Sequence, residues 1–185
     1  EMERVLFWGW RLFEEGYFND MMSESYDLLR ASEASWWYLG RKRVLEKIGN
    51  LFTLSSGNVL DVGSGFGGML NWLERYGTVD AIELHTDGAS VCERRGYRRV
   101  YHSYTEVRDG YYDLIALFDV LEHIPDDQSA LGVLRRKLRS NGRFIINVPA
   151  FPSLWSDHDV AHHHHRRYTK QSLEALFRSE GLIIE

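Results

Sequence analysis

A chain of 185 residues, 44% hydrophobic and 26% charged, has the size of one domain and enough apolar material for a packed core. Its formal net charge of −5 argues against a nucleic-acid-binding domain, which is ordinarily basic, and no apolar run approaches the roughly 20 residues that span a bilayer. The single cysteine, Cys92, excludes an internal disulfide framework and a cysteine-ligated cluster, so a reducing, cytoplasmic setting is expected.

Residues 1–50 read as a helical segment, a lid or cap ahead of the core, and residues 51–185 as the core domain. The aromatic-rich stretch from Val5 to Phe18 is broken by Arg11, Glu14 and Glu15 and lacks the basic start and small-residue cleavage site of a signal peptide. Trp36-Trp37-Tyr38 precede Arg41 and Arg43. Consecutive residues on a helix cannot share a face, so three aromatics fit a helix covered on two sides or a lid over a ligand. Ser55-Ser56-Gly57-Asn58 punctuates the chain, and residues 59–62 read as a short buried strand. The glycine cluster from Gly63 to Gly68 follows, and Met69, Leu70, Trp72 and Leu73 open a helix. Next come a strand over 79–84, a helix around 89–95 and a brief strand near Val100. A strand over 113–118 leads to a helix over 128–138, for which Asn141-Gly142 is the expected left-handed stop. A strand over 143–148, a long loop to about Tyr168 and a helix over 170–179 closed by Gly181 complete the pattern. Residues 181–185 read as the start of a further strand, and with Glu1 in place of a starting Met both ends are expected to be cut. Strands alternating with helices predict an α/β fold, a Rossmann-like, doubly wound, mostly parallel sheet with helices on both faces.

In such a sheet the ligand lies beyond the carboxyl ends of the strands, where the strand order reverses. The segment that belongs there is Asp61-Val62-Gly63-Ser64-Gly65-Phe66-Gly67-Gly68. Glycines alone do not decide the ligand, because dinucleotide enzymes carry a similar loop. Asp61 does. It ends the strand two residues before Gly63, where a pyrophosphate would lie, and a carboxylate there repels that dianion by kcal/mol in a partly buried site. S-adenosylmethionine carries an ammonium and a sulfonium, and to it the same acid is attractive. Glu83 ends the second strand about 20 residues after the glycine loop, placed to accept both ribose hydroxyls, which would suit NAD equally.

These residues resemble those of class I S-adenosylmethionine-dependent methyltransferases. Asp61 to Gly67 is similar to the family's D-x-G-x-G-x-G first motif. Asp113-Leu114-Ile115 through Asp119-Val120-Leu121-Glu122-His123-Ile124 resembles its fourth strand and D-V-L-E-H-I continuation. Leu134 to Gly142 resembles its R-x-L-k-p-G-G turn, and residues 143–148 its fifth strand; the likeness runs from about Trp36 to the C-terminus. It implies a cofactor held by Asp61, Gly63, Ser64, Gly65, Gly67, Glu83, Leu84, Phe118 and Asp119. Ser103 stands where the family often has an acid for the adenine amino group, and Phe66 replaces a small residue or Thr. The family's sixth and seventh strands would follow Leu182. Acids and a His placed like Asp119, Glu122 and His123 bind a divalent ion in some methyltransferases of ubiquinone biosynthesis. Here helix capping by Asp119 and packing of His123 are the expected roles, and no metal site is expected.

The segment after the fifth strand runs from Val148-Pro149-Ala150 through Leu154-Trp155-Ser156-Asp157-His158-Asp159 and His162 to His165 into Arg166-Arg167-Tyr168-Thr169. It resembles the V-P-A…L-W-S-x-x-D…H-x-R-R-Y-T signature of a methyltransferase subgroup. Leaving the strand beside the central ones, it is expected to overhang the reacting methyl and form the acceptor site. Trp155, Asp157, Arg166 and Tyr168, with Trp36 and Trp37 from the lid, are the expected acceptor contacts, and His158 or His164 the general base for a nucleophile that must lose a proton. The function implied is methyl transfer to an O, N or C nucleophile of a small-molecule or lipid-like acceptor. An NAD(P)-dependent oxidoreductase, against which Asp61 counts, and a non-catalytic cofactor-binding module are the alternatives.

Overall fold

Strands covered on both faces read as continuous apolar runs, and two such strands form the middle of this molecule. In β1 (Gly57–Val62) the last four residues are buried, and in β4 (Tyr112–Phe118) all but Asp113 are. The computed structural model describes residues 36–49 and 56–184. The other elements are α1 (Trp36–Gly49), α2 (Leu70–Leu73), β2 (Gly77–Ile82), α3 (Thr86–Arg95), β3 (Val100–Tyr101), α4 (Asp127–Lys137), β5 (Leu138–Asn147), α5 (Asp157–Ala161) and α6 (Lys170–Ser179). The aromatic stretch from Val5 to Phe18 and most of the 1–50 segment lie outside the described residues.

All five strands pair in parallel in the order β3-β2-β1-β4-β5, the doubly wound arrangement expected, and the order reverses between β1 and β4. Alternation along β1 sends Val59 to one face, with Trp72, Leu73 and Cys92, and Leu60 and Val62 to the other, with Leu117, Leu134 and Tyr168. Leu134 is wholly buried there, a placement that contributes roughly 1.5–3 kcal/mol.

Several boundaries differ from the sequence reading. β2 ends at Ile82, which leaves Glu83 just past the strand, and α3 begins at Thr86 with the His85 ring accepting from the Asp87 amide at 3.3 Å. α4 stops at Lys137, and Asn141, at φ +65°, is not its stop: the residue sits inside β5. Leu138 already pairs with Tyr112, and the register shifts before Leu114 meets Arg143, so the left-handed residue absorbs an irregularity in the edge strand. Gly142 follows because a Cβ there would lie 2.9 Å from the Tyr112 carbonyl oxygen. Residues 182–184 form no strand; the Leu182 amide donates to the Phe177 carbonyl and closes α6. No helix among the described residues is long and apolar enough to cross a membrane.

Candidate functional site

The glycine loop leaves β1 at the point where the strand order reverses. Gly63, Gly65 and Gly67 have φ of +64°, +56° and +73°, a region costly for any other residue here. Space excludes a side chain as well: a Cβ on Gly63 would meet a Val120 methyl at 2.8 Å, and one on Gly67 the Tyr97 ring at 2.9 Å. From below, Ser64 Oγ lies 3.2 Å from Cys92 Sγ, and the thiol donates to the Gly65 carbonyl at 3.3 Å. Burial pushes that thiol up to about 12, so Cys92 is a protonated strut of the loop.

Two acids hold the loop from the side. Glu83, 4% exposed, accepts from the Gly65 amide at 2.7 Å and the His85 amide at 2.8 Å. Asp61, 2% exposed, accepts from the Tyr97 hydroxyl at 2.6 Å, so its carboxyl lies under the loop. Burial raises it to about 7 and the Glu83 charge adds to the rise, against the Tyr97 hydrogen bond and the Arg41 charge. At neutral pH Asp61 is poised between its two forms, and an arriving cation favours the ionised one.

Beyond β4 the chain turns sharply at Asp119, φ +55°, whose carboxylate is ion-paired with Arg41 of α1. The expected capping by Asp119 is absent: Val120 precedes the short turn at Leu121–His123, without a side-chain cap, because Asp119 is drawn to Arg41. In the sequence only the aromatic trio before it points to Arg41. Glu122 is fully buried, and among the described residues neither carboxylate oxygen has a hydrogen-bond partner. Burial lifts its carboxyl to about 8. His123 is pushed down to about 3, by burial and then by neighbouring histidines.

Residues 149–168 fold back onto this turn. The His165 amide donates to the Glu122 carbonyl at 2.7 Å. Arg166 pairs with Asp127 at 2.8 Å and donates to the Pro125 carbonyl, and the Tyr168 hydroxyl donates to Asp127 at 2.8 Å. The Phe151 amide bonds the Tyr168 carbonyl and the Tyr168 amide the Pro149 carbonyl, both at 2.9 Å, which closes the base of the loop. Inside it lies α5, where the sequence pattern showed no element, and the buried carboxylate of Asp159 receives both Arg167 and His164. The His164 ring meets His123 edge-on at 4.7 Å, and His158 lies against His162 at 4.2 Å. Glu122, His123 and His164 thus bring one potential ligand atom each within 4.8 Å of one another.

The remaining candidates separate. Phe118, 9% exposed, ends β4 beside the glycine loop, and Leu84 packs on the core after Glu83. Ser103 spends its hydroxyl locally, accepting from the Thr105 amide at 3.1 Å. Trp155, Asp157 and His158 are exposed, and Arg166 and Tyr168 are committed to Asp127. Trp36 and Trp37 lie on the backbone of α1.

A family model described as a methyltransferase domain matches residues 36–185. A ubiquinone biosynthesis O-methyltransferase from Sodalis glossinidius (strain morsitans) is 29% identical over 123 residues, covering 60% of this chain and 48% of its own. The chain therefore spans about half the length of that curated relative. An S-adenosylmethionine-dependent methyltransferase from Archaeoglobus fulgidus has a similar structure, with TM-score 0.68 and 20% identity over 84% of this chain and 73% of that one. The Haemonchus contortus phosphoethanolamine N-methyltransferase 2, solved with phosphomonomethylethanolamine and S-adenosylhomocysteine, gives TM-score 0.69 and 17% identity over 90% of this chain and 45% of its own. At these identities the two structures show a shared fold.

Proposed function

The chain belongs to the methyltransferase domain family, and from that premise we propose that it transfers a methyl group from S-adenosylmethionine to a small-molecule or lipid-like acceptor. One arrangement supports the reading most: a left-handed glycine loop at the switch point, held by the Glu83 carboxylate and walled by Val120. The pocket fits a cationic nucleoside cofactor better than a pyrophosphate, since the buried carboxyls of Asp61 and Glu83 lie under and beside the loop.

Gly63, Ser64, Gly65 and Gly67 would hold the cofactor with backbone groups, Glu83 its ribose, and Leu84, Ser103 and Phe118 the surroundings of its base. Asp119, with Asp61 behind it, faces the amino-acid end. When bound, the cofactor supplies a methyl group already activated by its sulfonium. The residues then have to align the nucleophile and exclude water. Residues 1–50 act as a lid, Trp36 and Trp37 being its acceptor contacts. Trp155, Asp157, Arg166 and Tyr168 border the acceptor, and His158 or His164 takes the proton of an O–H or N–H nucleophile. The acceptor is small rather than a nucleic acid, in keeping with the charge of −5, and the lone buried thiol fits a cytoplasmic setting.

Calorimetry tests the reading. S-adenosylhomocysteine is expected to bind at micromolar concentration and NADH not to bind. Tight NADH binding with no response to S-adenosylhomocysteine would replace a methyltransferase by an oxidoreductase.

A further inference from the structure

Of the eight large apolar side chains that stand exposed among the described residues, four fall between Phe151 and Val160. Phe151 is 65% exposed, Leu154 60%, Trp155 42% and Val160 60%. Single exposed apolar residues are ordinary on a protein surface, whereas a cluster of them marks a contact. From Ala150 to Ser156 the chain is exposed at every residue and carries no charge.

Backbone bonds fix this tip. The Phe151 amide donates to the Tyr168 carbonyl and the Leu154 amide to the Phe151 carbonyl, both at 2.9 Å, and Pro152–Leu154 forms a short turn. Behind the turn Ser156 and Asp159 close a capping box, and Arg167 holds Asp159 at 2.7 Å. Phe151 itself has φ +60° and ψ +90°, a left-handed conformation costly for a bulky residue. Glycine or asparagine would take it more readily, yet the chain places phenylalanine there and leaves it in solvent. A tip already ordered loses little conformational freedom when it docks.

Shape and charge identify what covers it. A protein partner ordinarily buries about 800 Å² on each side, and a single short turn does not present such a face. A lipid surface has no shape to match and accepts an isolated tip, with Trp at the boundary between hydrocarbon and headgroups. Trp155 holds that place in the chain, between the apolar Phe151 and Leu154 and the polar Ser156 and Asp157. The charge disfavours an acidic surface. The chain carries −5, Asp157 is exposed beside the tip, and Arg166 and Arg167 spend their charge on Asp127 and Asp159. We propose that residues 150–155 are an interfacial anchor that docks the protein on a zwitterionic lipid surface. The inference deepens the lipid-like branch of the methyl-transfer reading and rests on it, because the anchor belongs to the loop assigned to the acceptor. Docking brings that loop to the surface in which a lipid-like acceptor lies.

The test uses the full chain and vesicles of phosphatidylcholine alone. Wild type is expected to sediment with them to the same extent between about 0.15 and 0.5 M NaCl, because salt does not screen an apolar insertion. Phe151→Asn combined with Leu154→Gln should lower the partition coefficient about tenfold, two apolar side chains being withheld from the bilayer. Asparagine tolerates the left-handed backbone and both sites are exposed, so S-adenosylhomocysteine affinity should be unchanged. Val44→Gln, which removes a comparably exposed side chain from α1, should sediment like wild type. A wild type that stays in the supernatant overturns the proposal whatever the variants do. So does an equal loss with Val44→Gln, which would mean general adhesion of apolar side chains. Dimers of wild type that form at rising concentration, and are absent from the double variant, would also overturn it by assigning the tip to a second copy. Calorimetry on the same preparations keeps the two readings apart, since failure to bind S-adenosylhomocysteine sinks methyl transfer and leaves the vesicle result as measured.

Discussion

The two halves of the site are held by acids, but by opposite means. Around the glycine loop, Glu83 and Asp61 receive neutral donors: two backbone amides and a tyrosine hydroxyl. Around the loop after β5, Asp159 and Asp127 receive cations, Arg167 and Arg166. Neutral donors leave an acid with charge to offer a ligand, and Asp61, raised to about 7, still responds to one. A bidentate arginine neutralises its acid and converts it into scaffold. On the function proposed above, the first half binds a cation and the second holds other side chains still.

Breaking the first half at its backbone should have the largest effect. Gly63→Val combines a positive φ with a Cβ 2.8 Å from Val120, costs of about 1–3 kcal/mol each. S-adenosylhomocysteine affinity is expected to fall at least tenfold by calorimetry, with a lowered melting temperature. Undiminished affinity would mean the loop does not carry the ligand.

Glu83→Ala comes next. Losing hydrogen bonds to a charged group costs about 1.5–3 kcal/mol of cofactor binding, and here the Gly65 and His85 amides lose their acceptor too. A folded variant that binds as tightly as wild type would remove Glu83 from the ribose site.

Tyr168→Phe sharpens the contrast from the other side. The hydroxyl gives one bond to Asp127, which keeps Arg166, so about 0.5–1.5 kcal/mol of stability should go and cofactor affinity should stay. A tenfold loss of S-adenosylhomocysteine affinity would show that the two halves are not separable.

The same contrast explains what could be read from the residues alone. The glycine loop is legible because a positive φ demands glycine within a few residues of a strand end, and α6 because its stop at Gly181 is a local signal. Asp159 and Arg41 were not, because their roles depend on partners brought in by chain folding: a short helix inside a loop, and a helix ahead of the core crossing to Asp119. Asn141 misled because a left-handed residue serves an irregular strand as well as a helix stop. The five-strand order followed from the alternation of elements, while the fate of residues 182–184 turned on one backbone bond to Phe177.

The smallest expected effect is a dependence on pH confined to the first half. The Asp61 carboxyl is lifted from 3.8 to about 7 by burial, so it binds its proton more tightly in the folded chain than in the unfolded one. Its contribution to stability is therefore present below about pH 4 and is lost as the pH rises through about 7. Cofactor binding has the opposite sign. Above pH 7 the group is ionised and attracts a sulfonium; below, it is neutral and does not. S-adenosylhomocysteine lacks the methyl group and with it that positive charge, and shares every other group, so the change of the affinity ratio with pH isolates the effect. Between pH 6 and 8 the preference for S-adenosylmethionine should rise severalfold, within about 1.4 kcal/mol, the equivalent of a factor of ten. Asp61→Asn should flatten that rise and leave S-adenosylhomocysteine binding nearly independent of pH over the range. Calorimetry of both ligands at the two pH values decides it. A constant ratio in wild type would show that Asp61, fixed under the loop by Tyr97, shapes the site and does not sense the charge placed above it.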